Sequence, residues 1–188
     1  EESRQAIVQA LMALYTKPNR MSVKTVLGGG ETHNNVIEFL PPDRKHIISQ
    51  EEGVEYIVVG EQVFWYTASG GKWEETDIPA AAFMGDQEVT ETLISEAVND
   101  PEFLREDALD GRPMVIFSYL NKSGSGELEQ VAQAELWIGM EDGLPYKMIM
   151  DGDVISLATD PATGESETTT VPSVTTTLIT FDSSISIE

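Results

Sequence analysis

A chain of 188 residues with 40% apolar side chains is long enough to bury a core and lies outside the composition of disordered proteins. Its 33 acidic residues against 11 Lys and Arg give a net charge of −22, which argues against nucleic-acid binding and electrostatic membrane docking. The absence of cysteine excludes disulfides and thiolate metal sites, and no apolar run reaches the ~18 residues of a membrane-spanning helix.

The first expected element is a helix over Ser3–Thr16. Ser3 is a good N-cap, Ile7, Leu11, Leu14 and Tyr15 repeat at helical spacing, and Pro18 stops the helix. The start at Glu1 is expected of a processed chain whose targeting segment has been removed. From Met21 the period changes to two, with Gly or Pro turns at regular intervals. Strands are expected at Met21–Leu27, Asn35–Leu40, Lys45–Gln50, Val54–Val59, Gln62–Thr67 and, briefly, around Trp73.

The middle is different. Ile78–Gly85 is small and apolar, and Asp86 can cap a helix over Gln87–Val98 that Asn99-Asp100-Pro101 ends. Strands return at Phe103–Leu109, Arg112–Asn121, Glu129–Met140, Leu144–Met150, Val154–Thr159 and Ser173–Asp182. Turns are expected between them at Asp110-Gly111, Ser123–Gly126, Glu141–Gly143 and Asp151-Gly152. Helix, strands, helix, strands is not the alternation of a parallel α/β sheet. The expected fold is mainly β (α+β), in one domain over residues 1–188. A large curved antiparallel sheet forms a half-open barrel, and the N-terminal and mid-chain helices cover its concave side.

Three segments carry a family resemblance. They are Val36–His46 (VIEFLPPDRKH), Glu55–Glu75 with its Gly60-Glu61-Gln62-Val63-Phe64 turn and Gly71-Lys72-Trp73, and Glu135–Met150, where Leu136-Trp137-Ile138 precedes Asp142-Gly143-Leu144-Pro145. In these the chain resembles the LolA/LppX-like superfamily of bacterial periplasmic and outer-membrane lipoprotein or lipid carriers. The resemblance implies a hydrophobic cavity for a lipid or the acyl chains of a lipoprotein, no catalysis, no cofactor and an extracytoplasmic place, in the periplasm or at the cell surface. It also implies a lipid anchor on a cysteine upstream of Glu1. The gating arginine of the family's lipoprotein carrier has no match in Arg20 or Arg44. The likeness extends to a periplasmic regulator of an envelope-stress anti-sigma factor. A sensor or interaction module with a basic envelope protein as partner is therefore the alternative function.

The chemistry-bearing residues are sparse. His33 and His46 stand on different expected strands with no carboxylate ordered beside either, so they read as surface imidazoles. A hydrolase using a pair of the many acids is a third possibility. Asp151-Gly152-Asp153 and Asp160–Glu167 offer oxygens for calcium but lack EF-hand spacing, and turn chemistry accounts for both. Gly28–Gly30 lacks the lysine and helix of a phosphate loop.

The aromatic and Met residues are more informative, because Tyr56–Val59 and Val63–Tyr66 are apolar at both parities. Either they build one packed core, or some of them line a cavity. The candidate lining or lid residues are Phe39, Tyr56, Val58, Phe64, Tyr66, Trp73, Phe83, Met84, Leu93, Phe117, Tyr119 and Met148. Ile78–Gly85 is the candidate lid or mouth.

Overall fold

The computed structural model of the protein describes residues 1–84, 89–123, 130–159 and 166–187, with backbone alone at 155–159 and 166–168. Helix α1 (Glu2–Thr16) is followed by strands β1 (Asn19–Leu27), β2 (Thr32–Leu40), β3 (Arg44–Ser49), β4 (Val54–Val59), β5 (Gln62–Thr67) and β6 (Trp73–Thr76). Short helices α2 (Ala81–Met84) and α3 (Glu91–Ala97) come next. The chain ends with β7 (Val98–Leu109), β8 (Arg112–Ser123), β9 (Gln130–Gly139), β10 (Pro145–Thr159) and β11 (Ser166–Phe181).

All the strands join one antiparallel sheet in the order β6-β5-β4-β3-β2-β1-β11-β10-β9-β8-β7. Two meanders, one from each half of the chain, meet where β1 pairs with β11 from Asn19↔Phe181 to Leu27↔Ser173. The edges are β6 and β7, the two strands that flank α2 and α3 in sequence. The helical segment therefore travels from one edge of the sheet to the other.

Directly opposed residues of an antiparallel pair share a face, so the registers carry each face across the sheet. One row on the first face runs Thr76, Val63, Val58, Lys45, Phe39, Asn19 and Phe181. Another runs Val23, Thr177, Met148, Leu136, Phe117 and Phe103. This is the face that the helices cover. Ile7, Val8 and Ala10 of α1 and Ile94 of α3 pack with Val98, Phe117, Tyr119, Ala134, Leu136 and Ile138 in one buried cluster. Burying aliphatic side chains of this size contributes roughly 1.5–3 kcal/mol each, so this cluster holds α1 and α3 on the sheet.

The outer face differs from strand to strand. On β1 it is solvated, with Arg20, Ser22, Lys24 and Val26 exposed in strict alternation. Toward β8 and β9 it carries a second cluster of Met114, Ile116 and Trp137, with Leu109 and Tyr146 packed against it. Arg105 and Lys147 lie over the Trp137 ring, at 5.7 and 4.6 Å from its centroid. These cations and their aliphatic stems close the outer cluster from water.

Several expected boundaries move. The first helix begins one residue before Ser3, with Glu1 at the N-cap position and no side-chain cap bond. The second helix begins at Glu91 rather than Gln87, and its cap is Thr90, whose Oγ1 accepts from the Leu93 N–H at 3.3 Å. Asp86 and Gln87 lie outside the described residues, as do Gly85, the Gly124–Gly126 part of the expected turn and Glu129. Asn99-Asp100-Pro101 does not lead into a loop. The chain enters β7 at Val98 and absorbs the interruption as a bulge between Asn99 and Glu102, with Asp100 at φ +47°.

Asp151-Gly152 is not a turn either, since β10 runs through it as one continuous strand. Gly152 pairs with Ala132 on one side and Ser173 on the other, where a Cβ would stand 2.7 Å from the Ala132 Cβ. Close strand approach, not chain reversal, is why glycine occupies that position. The same continuity makes Asp151 and Asp153 strand residues. Positions 160–165 of the other acidic stretch lie outside the description.

Candidate ligand-binding site

Six of the twelve candidate residues stand on the helix-covered face of the sheet, three on the short helices α2 and α3, and three on the outer face. Phe117, Tyr119 and Met148 meet in the α1–α3 core, where the Tyr119 hydroxyl reaches Met148 Sδ at 3.8 Å. Tyr119 is 2% exposed, and burial pushes its hydroxyl well above the ordinary tyrosine range, with a smaller contribution from Tyr15. It is a core side chain. Phe39, Tyr56 and Val58 face the same side on β2 and β4, as the row assignments require. Leu93 sits on α3 but is 39% exposed, because its neighbour Ile94 fills the core position.

α2 occupies the other half of this face. Its Phe83 ring lies 4.9 Å from Tyr56 at a tilt of 38°, and the Phe83 carbonyl accepts from Lys45 Nζ at 2.6 Å. None of its residues, Met84 included, is fully buried. The helical turn Ala81–Met84 thus lies against the sheet at Tyr56 and Lys45. Lys45 is a half-buried cation, and burial lowers the pKa of its ammonium.

Phe64, Tyr66 and Trp73 are on the outer face. Val63 pairs with Val58 and Trp65 with Tyr56, so on β5 the inward residues are Val63 and Trp65. Four consecutive apolar residues left the parity of this strand open in the sequence. Trp73, backed by Tyr66, instead flanks a polar centre. Trp73 packs 5.5 Å from Tyr66 and edge-on, at 6.2 Å, against His46. His46 Nδ1 is 3.3 Å from Glu38 Oε2 and its Nε2 is 3.0 Å from Glu55 Oε2, with the imidazole only 19% exposed. The expectation that no carboxylate is ordered beside either histidine fails here. Glu38 and His46 are equidistant from Pro42, so the β2–β3 hairpin puts them opposite one another. His33 lies 3.4 Å from Glu31 and is solvated.

A cleft of about 530 Å³ opens elsewhere, between α1 and α3, lined by Glu1, Arg4, Gln5, Val8, Gln9, Glu91, Thr92, Ser95 and Glu96. It is polar and includes none of the twelve candidates. The apolar surface under the helices is filled by α1 and α3 themselves. Sequence reasoning singled out neither Lys45 nor Asn19, both inward-facing polar residues of β1–β3. Strict alternation from Phe39 and Val58 would have found them.

No protein-family model matches the sequence, and no curated protein matches it by sequence. Solved structures do match by shape. The crystal structure of the Mycobacterium tuberculosis lipoprotein LppX aligns over 100% of this chain and 98% of its own, with a TM-score of 0.61 at 11% identity. The fold is LppX-like. LprF from Mycobacterium bovis aligns over 100% of this chain and 96% of its own, with a TM-score of 0.58 at 12% identity. The LppX-like fold agrees with the half-open barrel implied by the Trp137-Ile138 and Gly143-Leu144-Pro145 segments. At these identities the likeness concerns architecture alone.

Proposed function

We propose that this protein is a non-catalytic, extracytoplasmic carrier, one domain that holds a lipid or the acyl chain of a lipoprotein against the covered face of its sheet. The observation that supports this reading is the distribution of apolar surface within an LppX-like fold. One sheet face presents Phe39, Tyr56, Val58, Phe117, Tyr119 and Met148, and it is roofed by separate short helices rather than by a second sheet. Binding proceeds by exchange. An acyl chain replaces α1–α3 contacts as the helices lift, and each methylene moved out of water contributes about 0.8 kcal/mol. Delipidated protein should take up a fluorescent fatty acid, and protein purified natively should carry lipid visible by mass spectrometry. Failure of both defeats the proposal.

The second reading is a scaffold for a basic envelope protein. It is favoured by the polar α1–α3 cleft with Glu1, Glu91 and Glu96 on its walls. A partner held there dissociates at high salt, whereas a buried acyl chain does not.

A further inference from the structure

Lys45 is a cation on the covered face of the sheet. Of the 11 Lys and Arg, Arg20, Lys72, Arg105 and Arg112 lie within ion-pair distance of an acid among the described residues. Lys45 does not. It points to the covered face between Phe39 and Val58, both buried, and its recorded partner is the neutral Phe83 carbonyl at 2.6 Å. Among the described residues no carboxylate lies within ion-pair distance of it, so two of the three ammonium N–H groups have no protein acceptor. A cation on an apolar face, without a counter-charge, is an unfavourable arrangement unless something else supplies the anion.

A second polar group in the same row is also incompletely satisfied. Asn19 is 0% exposed, and its amide N–H groups donate to the Leu14 and Lys17 carbonyls at 2.8 and 2.9 Å, closing the end of α1. Its Oδ1 is buried and accepts from nothing among the described residues. Asn19 and Lys45 stand on either side of Phe39, two strands apart, or roughly 10 Å at ~4.8 Å per strand. A donor with spare capacity and an unfilled acceptor thus flank one aromatic ring on the covered face.

We infer that the covered face is built for an amphiphile with an anionic headgroup, a carboxylate or a phosphate, which pairs with Lys45 while its chain lies along Phe39, Tyr56 and Val58. Asn19 Oδ1 accepts from a water bound with that headgroup. This inference rests on the carrier reading and narrows its ligand class.

The test uses delipidated full-length chain at pH 8 and three ligands of equal chain length: dodecanoate, dodecyl phosphate and dodecanol. Affinities are measured by displacement of a fluorescent fatty acid. At least one anion should bind about tenfold or more tighter than the alcohol, the size expected for hydrogen bonds to a charged group. Which anion wins identifies the headgroup. In Lys45→Met the anions and dodecanol should bind alike, while Lys45→Arg keeps the preference for the anion. The wild-type comparison decides the matter even if Lys45→Met fails to fold. Equal binding of all three ligands overturns the inference and leaves the carrier reading standing. Binding of none overturns both.

Discussion

The Tyr146 hydroxyl donates to Asp142 Oδ2 at 2.6 Å, and Arg112 Nη1 donates to that same oxygen at 2.9 Å while its guanidinium lies 4.1 Å over the Tyr146 ring. Asp142 Oδ1 accepts the Leu144 N–H at 3.1 Å, so one carboxylate ties the β9–β10 turn to β8 and β10. The turn has room for this only because residue 139 is glycine, where a Cβ would stand 2.5 Å from Asp142 Oδ1. Tyr146→Phe removes one charge-assisted hydrogen bond on a partly solvated site and should lower unfolding free energy by ~1 kcal/mol. Gly139→Ala should cost more, because it displaces the carboxylate from all its partners. Urea denaturation of the two variants checks the order.

The same cluster sets a pH dependence. Burial raises the Asp142 pKa, but the Tyr146 hydroxyl, the Leu144 N–H and Arg112 outweigh it and hold the carboxyl below its ordinary 3.8. A folded pKa below the unfolded one stabilises the protein above pH 3.8, and that stability is lost as pH falls through the folded value. Tyr146 has the opposite sign. Burial first, then Asp142, push it up to about 12, so its contribution is complete below pH 10 and fades as pH rises through 12. Asp142→Asn should therefore flatten the acid limb of stability against pH. An unchanged acid limb would show that the carboxylate is not held as described.

Gly152 gives a packing prediction. In Gly152→Ala the new methyl meets the Ala132 Cβ at 2.7 Å and its Cα at 2.9 Å, and strands paired on both sides cannot separate freely. Overpacking of this kind destabilises by roughly 1–3 kcal/mol. Adding Ala132→Gly should recover part of the loss but not all of it, since the backbone contact persists. A double-mutant cycle by thermal denaturation measures the coupling.

β4 and β5 match the expected Val54–Val59 and Gln62–Thr67 because Gly53 and Gly60 mark their boundaries at positive φ, which glycine adopts at little cost. The antiparallel sheet was legible from turn spacing and its covering helices from apolar periodicity, but the β1–β11 pairing that joins its two halves was not. The face of β5 was not, since Val63–Tyr66 is apolar throughout and only pairing with Tyr56 and Val58 decides it. Asp151-Gly152 has the chemistry of a hairpin turn. Its true role depends on Ala132, a partner far along the chain that no local pattern announces. The His46 centre, by contrast, could have been drawn from the β2–β3 hairpin had its register been counted from Pro42. Lys45 reads as one more surface lysine until Phe39 and Val58 fix its face.

Ile7 tests what holds the roof on. It is 0% exposed at the centre of the α1 cluster. Ile7→Ala should cost about 2–5 kcal/mol, the range for emptying such a site. If α1 and the sheet unfold together, the loss appears in one cooperative transition. If α1 detaches alone, an environment-sensitive dye should bind the exposed sheet before the main unfolding step.

Arg4 carries the last prediction. Its Nη1 donates to the Ser95 carbonyl at 2.8 Å and to the Val98 carbonyl at 2.5 Å, so a single guanidinium on α1 closes the C-terminal end of α3. α3 has no basic residue of its own in its last turn, and the positive charge that its dipole favours arrives from the other helix. Arg4→Ala should release both carbonyls and cost roughly 1–3 kcal/mol, the penalty for stranding partners of a charged donor. Because both carbonyls lie where α3 runs into the edge strand β7, hydrogen exchange should accelerate in α3 and at the start of β7 while β8 and β9 stay protected. On the carrier reading the same variant should also load a fluorescent fatty acid faster, since the helices must part for the chain to enter. Faster exchange in α3 with an unchanged loading rate would show that α3 is not the element that moves.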